Sequence, residues 1–390
     1  MFEDVYQFEE PRESKSIIKV IGVGGGGSNA VNHMYQQGIR GVDFVICNTD
    51  NQALQTSPIP NKVQLGKTLT YGRGAGNEPE KGRDSALENI DDIRNLLGDN
   101  TKMVFLTAGM GGGTGTGAIP VIAQIAREMG ILTVAVVTKP FLFEGKKKQA
   151  VAEQGIIELE KYVDSLITIP NQKLLPVLGN NVSLMNAFKA ANDVLLDAVQ
   201  GITELIVHPG MINVDFADVR TVMSGMGAAI MGMGSATGEH RAREAAEKAI
   251  ACPLLEDINL QGARGILVNI SAADMGVAEF NEVGNIVHEF ASEDAIIKIG
   301  MAIDTSLGDE IKVTVVATGM GAPPMAVKAP IKMMQKPTTS NANYDELDKP
   351  TVMRKGGTHE NRETRFGAQA KKEIDLDYLD IPAFLRRQAD

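Results

Sequence analysis

The 390-residue sequence predicts an α/β fold: a doubly wound domain, a long central helix, a smaller α/β domain, then a disordered linker and a short terminal peptide. Three observations carry this. Between residues 16 and 182, strand-length apolar runs alternate with helical periodicity, the pattern of a parallel sheet covered on both faces. Two of those strands run straight into glycine-rich turns that open helices. One stretch, 183–208, then keeps apolar residues at three- and four-residue spacing throughout.

Taken in order, Ile17–Ile21 is a strand, Gly22–Asn29 a glycine-rich turn, and about Ser28–Gln37 a helix stopped by Gly38. Val42–Cys47 is the next strand and ends in Asn48-Thr49-Asp50, and a further glycine-rich segment spans Gly72–Glu80. Met103–Thr107 reads as a buried strand. Ala108–Gly117 follows it, and Ala118–Met129 forms a helix with Pro120 in its first turn. A strand, a glycine turn and a helix make an anion cradle: backbone N–H groups point inward, no Cβ blocks approach, and the helix end adds partial positive charge. Thr114 and Thr116 add hydroxyls that can bond phosphate oxygens. Ile131–Thr138 is apolar almost throughout, as a central parallel strand should be. Lys146, Lys147 and Lys148 open a helix as a solvated face, with one lysine available to phosphate. Ser165–Pro170 is a strand capped by Asn171.

The central helix places Leu184, Ala187, Phe188, Ala191, Val194, Leu195, Ala198 and Ile202 on one side and carries Asn192 and Asp193. A buried carboxylate is costly without a partner, so Asp193 faces water or holds a ligand's donors. Asp215 and Asp218, three apart, share a helix face; a pair complementing the helix dipole and a catalytic pair fit that spacing equally well. Met223–Thr237, rich in Met and Gly, predicts close element packing. Strands Gly265–Ser271 and Ile311–Thr318, with helices near Ala242–Ala251 and Glu279–Phe290, complete the second domain. The boundaries are a flexible N-terminus at 1–15, the nucleotide-type domain at 16–182, the helix at 183–208 and the C-terminal domain at 209–321. A linker of few large apolar residues covers 322–373, and 374–390 forms an amphipathic docking peptide.

Composition narrows the function. A net charge of −11 and a pI near 5.1 argue against nucleic acid as a partner. The two cysteines, Cys47 and Cys252, lie in apolar sequence and suggest a reduced cytosolic protein without disulfides. His33, His208, His240 and His288 have no ligand-spaced partners. The acidic start is not a signal peptide, and no apolar run reaches the roughly 18 residues that span a bilayer, so any membrane association is indirect.

Gly22–Gly27 satisfies G-x-G-x-x-G literally, and Asp50 falls where a ribose-binding acid would sit, which suits a nicotinamide or flavin dehydrogenase. The two further glycine segments weigh against it, because three phosphate-friendly loops suit a mononucleotide triphosphate held along its whole phosphate chain. A nucleotide-binding scaffold without turnover is the other alternative.

GGGTGTG (Gly111–Gly117), GVGGGGSNAVN (Gly22–Asn32), NTD (Asn48–Asp50), FEGKKK (Phe143–Lys148), NVDFADVR (Asn213–Arg220) and DYLDIPAFLRRQAD (Asp377–Asp390) together resemble the tubulin/FtsZ family, in the family's order. Ser28 and the GRGAGNEPE segment depart slightly from the usual pattern. The resemblance implies a Rossmann-like GTPase domain that binds GTP/GDP with Mg²⁺ on the phosphates and assembles head to tail with itself at the mid-cell division site of the cytoplasm. Gly25, Gly26, Gly27, Ser28 and Asn29 would contact the nucleotide, Asn29 near the base. Gly112, Gly113, Thr114, Gly115 and Thr116 would cradle the α- and β-phosphates, and Ala75, Gly76 and Asn77 the γ-phosphate. Glu144 and Lys148 would lie by ribose and phosphates and Asn171 by the nucleoside, while Phe188 stacks on guanine and Asp193 accepts from it. Asp215 and Asp218 would be catalytic, inserted against the neighbouring subunit's nucleotide. The terminal peptide Asp377–Asp390 would dock membrane-tethering division proteins such as FtsA and ZipA.

Overall fold

The computed structural model describes residues 17–179, 182–207, 212, 214–255 and 262–320. The predicted N-terminal segment 1–15, linker 322–373 and peptide 374–390 lie outside the described residues.

The first half contains β1 (Ile18–Val23), α1 (Gly24–Gln36), β2 (Asp43–Asn48), α2 (Asn51–Thr56), β3 (Asn61–Gln64), α3 (Lys67–Thr70), α4 (Pro79–Glu88), α5 (Ile90–Leu97), β4 (Met103–Gly109), α6 (Thr114–Glu128), β5 (Leu132–Lys139), α7 (Lys146–Glu160), β6 (Ser165–Pro170) and α8 (Leu175–Leu178). The long α9 (Leu184–Val207) leads to α10 (Phe216–Met223), β7 (Gly227–Ala236), α11 (Arg241–Ile250), β8 (Gly265–Ala272), α12 (Val277–Phe290), β9 (Ile296–Ile303) and β10 (Ile311–Thr318).

All ten strands join one sheet in the order β3-β2-β1-β4-β5-β6-β7-β10-β8-β9. The six strands of the first half are parallel, as crossover helices require. β10 runs antiparallel to both β7 and β8. The two halves are therefore not separate sheets: β6 meets β7 in parallel through Ser165↔Gly227, Leu166↔Ala228 and Ile167↔Ala229.

Alternate side chains of the sheet feed two cores. Val20 and Phe105 pack with α1 and α9, while Ile21, Val23, Val104 and Leu106 pack with helices α4 to α7. The core under α9 also takes in Leu267 and Val316, so this helix serves both halves. A third core joins β8 and β10 to α11 and α12. The Met- and Gly-rich stretch forms β7, packed flush on α11. A Cβ on Gly232 would lie 2.1 Å from the Ala249 carbonyl oxygen, and one on Gly234 2.2 Å from that of Ala245.

Both helices that follow glycine turns begin earlier than the sequence suggests, α1 at Gly24 and α6 at Thr114. Pro120 consequently sits inside α6, not in its first turn. Glycine runs look like loops by propensity, yet a first helical turn leaves its N–H groups free, which is what an anion site needs.

Candidate active site

Strands β1 and β4 are neighbours, with Val23 opposite Ala108, and each runs on into a helix. The N-termini of α1 and α6 therefore open at the same carboxyl edge of the sheet, where open α/β folds collect their ligands. A cavity of about 650 Å³ lies there, within the small-molecule range of roughly 300–1,000 Å³. The segment after β1 gives Gly25, Gly26 and Asn29, the end of β2 and the turn after it give Asn48 and Asp50, and the segment after β4 gives Gly112, Gly113, Thr114 and Gly115. Thr138 comes from the end of β5, Glu144 and Lys148 from the region after it, Asn171 from just past β6, and Phe188 and Asn192 from α9. Gly76 and Asn77 close one side, both left-handed, with φ of 59° and 62°.

The glycines of this wall have different reasons to be glycine. A Cβ on Gly27 would sit 2.3 Å from the Thr107 carbonyl oxygen, so that position is fixed by packing behind the wall. Gly25 and Gly112 have no such neighbour: an added Cβ meets nothing in the chain within 4 Å, and neither has a positive φ. What their lack of a side chain preserves is the cavity itself.

Polar groups around the wall are partly committed. The Thr114 and Thr49 hydroxyls bond each other at 2.6 Å. The Thr116 hydroxyl accepts the Gly111 N–H at 2.8 Å and braces the turn, while Thr116 is not among the residues that line the cavity. Gly27, Ser28 and Ala75 also sit behind the wall, buried. Asp50 caps α2, accepting from the Gln52 N–H at 2.9 Å. Glu144 accepts the Phe141 N–H at 2.9 Å and pairs with the Lys148 ammonium at 2.5 Å. Lys148 is the one cationic side chain on the wall among the described residues. Asn171 is different. It is 4% exposed, and its side-chain oxygen has no protein partner although it borders the cavity, a cost that a ligand donor would relieve.

At the α9 end, Phe188 meets Phe141 edge-to-face at 5.3 Å, and Phe141 stacks on Phe143 at 4.9 Å. Here the structure corrects one residue. Asn192 lines the cavity, whereas Asp193 turns away and bonds His33 Nε2 at 2.6 Å, tying α9 to α1. The sequence order Asn192-Asp193 offered both; helical phase lets only one face inward. His33, which has no ligand-spaced partner in the sequence, is the residue it bonds.

Asp215 and Asp218 stand elsewhere. Asp215 is the N-cap of α10 and accepts the Asp218 N–H at 2.7 Å, so it lies before the helix and not on a shared face. Lys298 bonds the Asp218 carboxylate at 2.6 Å, and this ammonium, above all, holds the carboxyl below the usual range. The Met223 carbonyl accepts the Ser165 hydroxyl at 2.6 Å, and Arg220 reaches the Gly130 carbonyl at 3.5 Å. Those contacts put α10 at the edge where β5 and β6 begin. The cavity lies where they end, about 25 Å away for an eight-residue strand. Among the described residues no cluster of three His, Cys, Asp or Glu is placed to hold a metal ion.

Residues 17–179 match the Tubulin/FtsZ family, GTPase domain, and residues 227–321 the FtsZ family, C-terminal domain. The cell division protein FtsZ of Pseudomonas aeruginosa is 55% identical over 390 residues, covering 96% of this chain and 97% of its own. That of Coxiella burnetii is 55% identical over 386 residues, covering 98% and 99%. Among solved structures, the empty FtsZ dimer of M. jannaschii superposes with a TM-score of 0.75 at 41% identity, over 79% of this chain and 89% of that one.

Proposed function

The chain belongs to the tubulin/FtsZ family of GTP hydrolases, as an FtsZ-type cell-division protein, and from that premise we propose that it assembles head to tail and hydrolyses GTP where two subunits meet. One observation carries this reading. The wall carboxylates, Asp50 and Glu144, are both engaged in local bonds, whereas the acid pair lies at the far edge of the same sheet. Cavity and acids come together only if the acid edge of one copy meets the cavity edge of the next. That contact is heterologous and does not close on itself, so it builds a filament.

In this reading the phosphate chain lies on Gly25, Gly26, Gly112, Gly113, Thr114 and Gly115, with its terminal group toward Gly76 and Asn77. Glu144 and Lys148 flank ribose and phosphates, Asn171 takes a nucleoside donor, Asn29 lies near the base, and Phe188 presents a ring face to it. Asn192 takes over the guanine role expected of Asp193. Its amide oxygen can accept from guanine N1–H while its NH₂ donates to O6, a pairing that the same amide, flipped, can also offer to adenine N1 and N6–H. Asp215 and Asp218 of one copy orient and polarise the water that attacks the other copy's γ-phosphate. Lys148 alone does not balance a triphosphate, so Mg²⁺ carried in with the nucleotide would supply the remaining charge neutralisation beside Lys148. GTP favours the contact and GDP weakens it.

Exposed apolar side chains flank the wall segments: Tyr71, Leu142, Phe143, Val177 and Met185. The neighbouring copy would cover them. No helix of the described residues is long and apolar enough to cross a membrane, so placement at the mid-cell ring rests on Asp377–Asp390 docking tethering proteins such as FtsA and ZipA. The test is Asp215→Ala, which binds GTP and sediments as polymer but releases phosphate slowly. Full-rate release by this variant would refute the shared site.

A further inference from the structure

The acid pair is held from a second element. β9 carries the chain leading into α10 on its edge, since the Met301 N–H donates to the Ile212 carbonyl at 3.0 Å. Three residues back along the same strand, Lys298 reaches the Asp218 carboxylate at 2.6 Å, both side chains about one-third exposed. Asp215 is fixed by its capping bond to the Asp218 N–H. The two residues are thus locked to each other and, through Asp218, to β9.

We propose that Lys298 is a positioning residue for GTP hydrolysis, holding Asp218 in one orientation and balancing its charge as a neighbour's phosphates close on it. This rests on the shared-site reading above. Two carboxylates three residues apart repel each other and also repel an incoming triphosphate, and both penalties fall when an ammonium sits on one of them. The low-lying Asp218 carboxyl agrees with that geometry, because an ion pair favours the charged form. Lys298 touches neither substrate nor water in this scheme and acts through Asp218. An exposed pair contributes at most about 1 kcal/mol, so the expected effect is a change of about fivefold or less.

The experiment compares the full chain with Lys298→Met, Lys298→Gln, Lys298→Arg and Asp218→Ala. GTP affinity of the monomer, assembled protein by sedimentation, and phosphate release per assembled subunit are measured for each. Lys298→Met and Lys298→Gln are expected to release phosphate about three- to fivefold more slowly per assembled subunit, with unchanged monomer affinity. Lys298→Arg restores the parent rate within about twofold, and Lys298→Met adds nothing in the Asp218→Ala background. Parent-rate release by both neutral variants, while Asp218→Ala is slow, overturns the role of Lys298 and leaves the shared site standing. Equal losses in the neutral and Arg variants also overturn it, since packing rather than charge would then matter. Fast release by Asp218→Ala sinks the shared site instead.

Discussion

At the scale of single residues, the wall divides into glycines fixed by packing and glycines whose missing side chain leaves the cavity open. Gly27→Ala drives a Cβ against the Thr107 carbonyl oxygen, 2.3 Å away, and overpacking of this kind costs about 1–3 kcal/mol. Its melting temperature should fall. Gly25→Ala and Gly112→Ala place a methyl in open cavity; both should melt like the parent yet bind GTP at least about tenfold more weakly, a loss near 1.4 kcal/mol. Isothermal titration alongside a melting curve checks the contrast. The carboxylate of Asp215, proposed above to act on a neighbour's nucleotide, also caps α10. Asp215→Ser keeps a capping oxygen and should melt within a degree or two of the parent, while turnover falls about a hundredfold or more. The residue scale is also where sequence reading reached its limit. GGGTGTG announced phosphate chemistry, but nothing local distinguished Asn192 from Asp193, since the choice depends on where α9 sits over α1. Lys298 lies some eighty positions from Asp218 and gives no sequence signal of the contact at all.

Among secondary-structure elements, the central helix and the alternating strands of the first half were legible because their apolar periods are long and regular. β9 and the short β3 were not, since half-exposed edge strands carry weak patterns. The second half depends on polar staples that no period encodes. Arg241 on α11 holds Glu279 on α12 through two bonds of 2.7 and 3.1 Å and also reaches Asp309 ahead of β10. The guanidinium is the main cause of the Glu279 carboxyl lying below its ordinary 4.5. A carboxyl depressed in the folded state stabilises at pH values above its unfolded value and loses that contribution as pH falls through the folded one. Glu279→Gln should therefore melt earlier than the parent at pH 7, by an amount equivalent to about 1 kcal/mol. The difference should close as the pH is lowered through and below the depressed pKa of the Glu279 carboxyl. Melting curves across that range decide it, and a gap that persists at the acid end would rule out the ion pair as its source.

For the whole molecule, the continuous sheet is what separates the cavity from the acid pair. Strands of the first half put every glycine segment at one edge, while the turn from α10 into β7 lies at the other. The sequence suggested two α/β domains; the β6–β7 pairing joins their strands into one continuous sheet. Deleting Asp377–Asp390 should leave GTP-dependent sedimentation unchanged and abolish recruitment to the division site, as fluorescence microscopy would record. The central claim is that one copy holds the nucleotide and its neighbour completes the reaction centre. Phosphate release per molecule, measured against protein concentration with light scattering followed in parallel, tests it most directly. The account predicts almost no release below the concentration at which scattering begins and a steep rise in specific activity above it. A specific activity that stays constant through that threshold would contradict it.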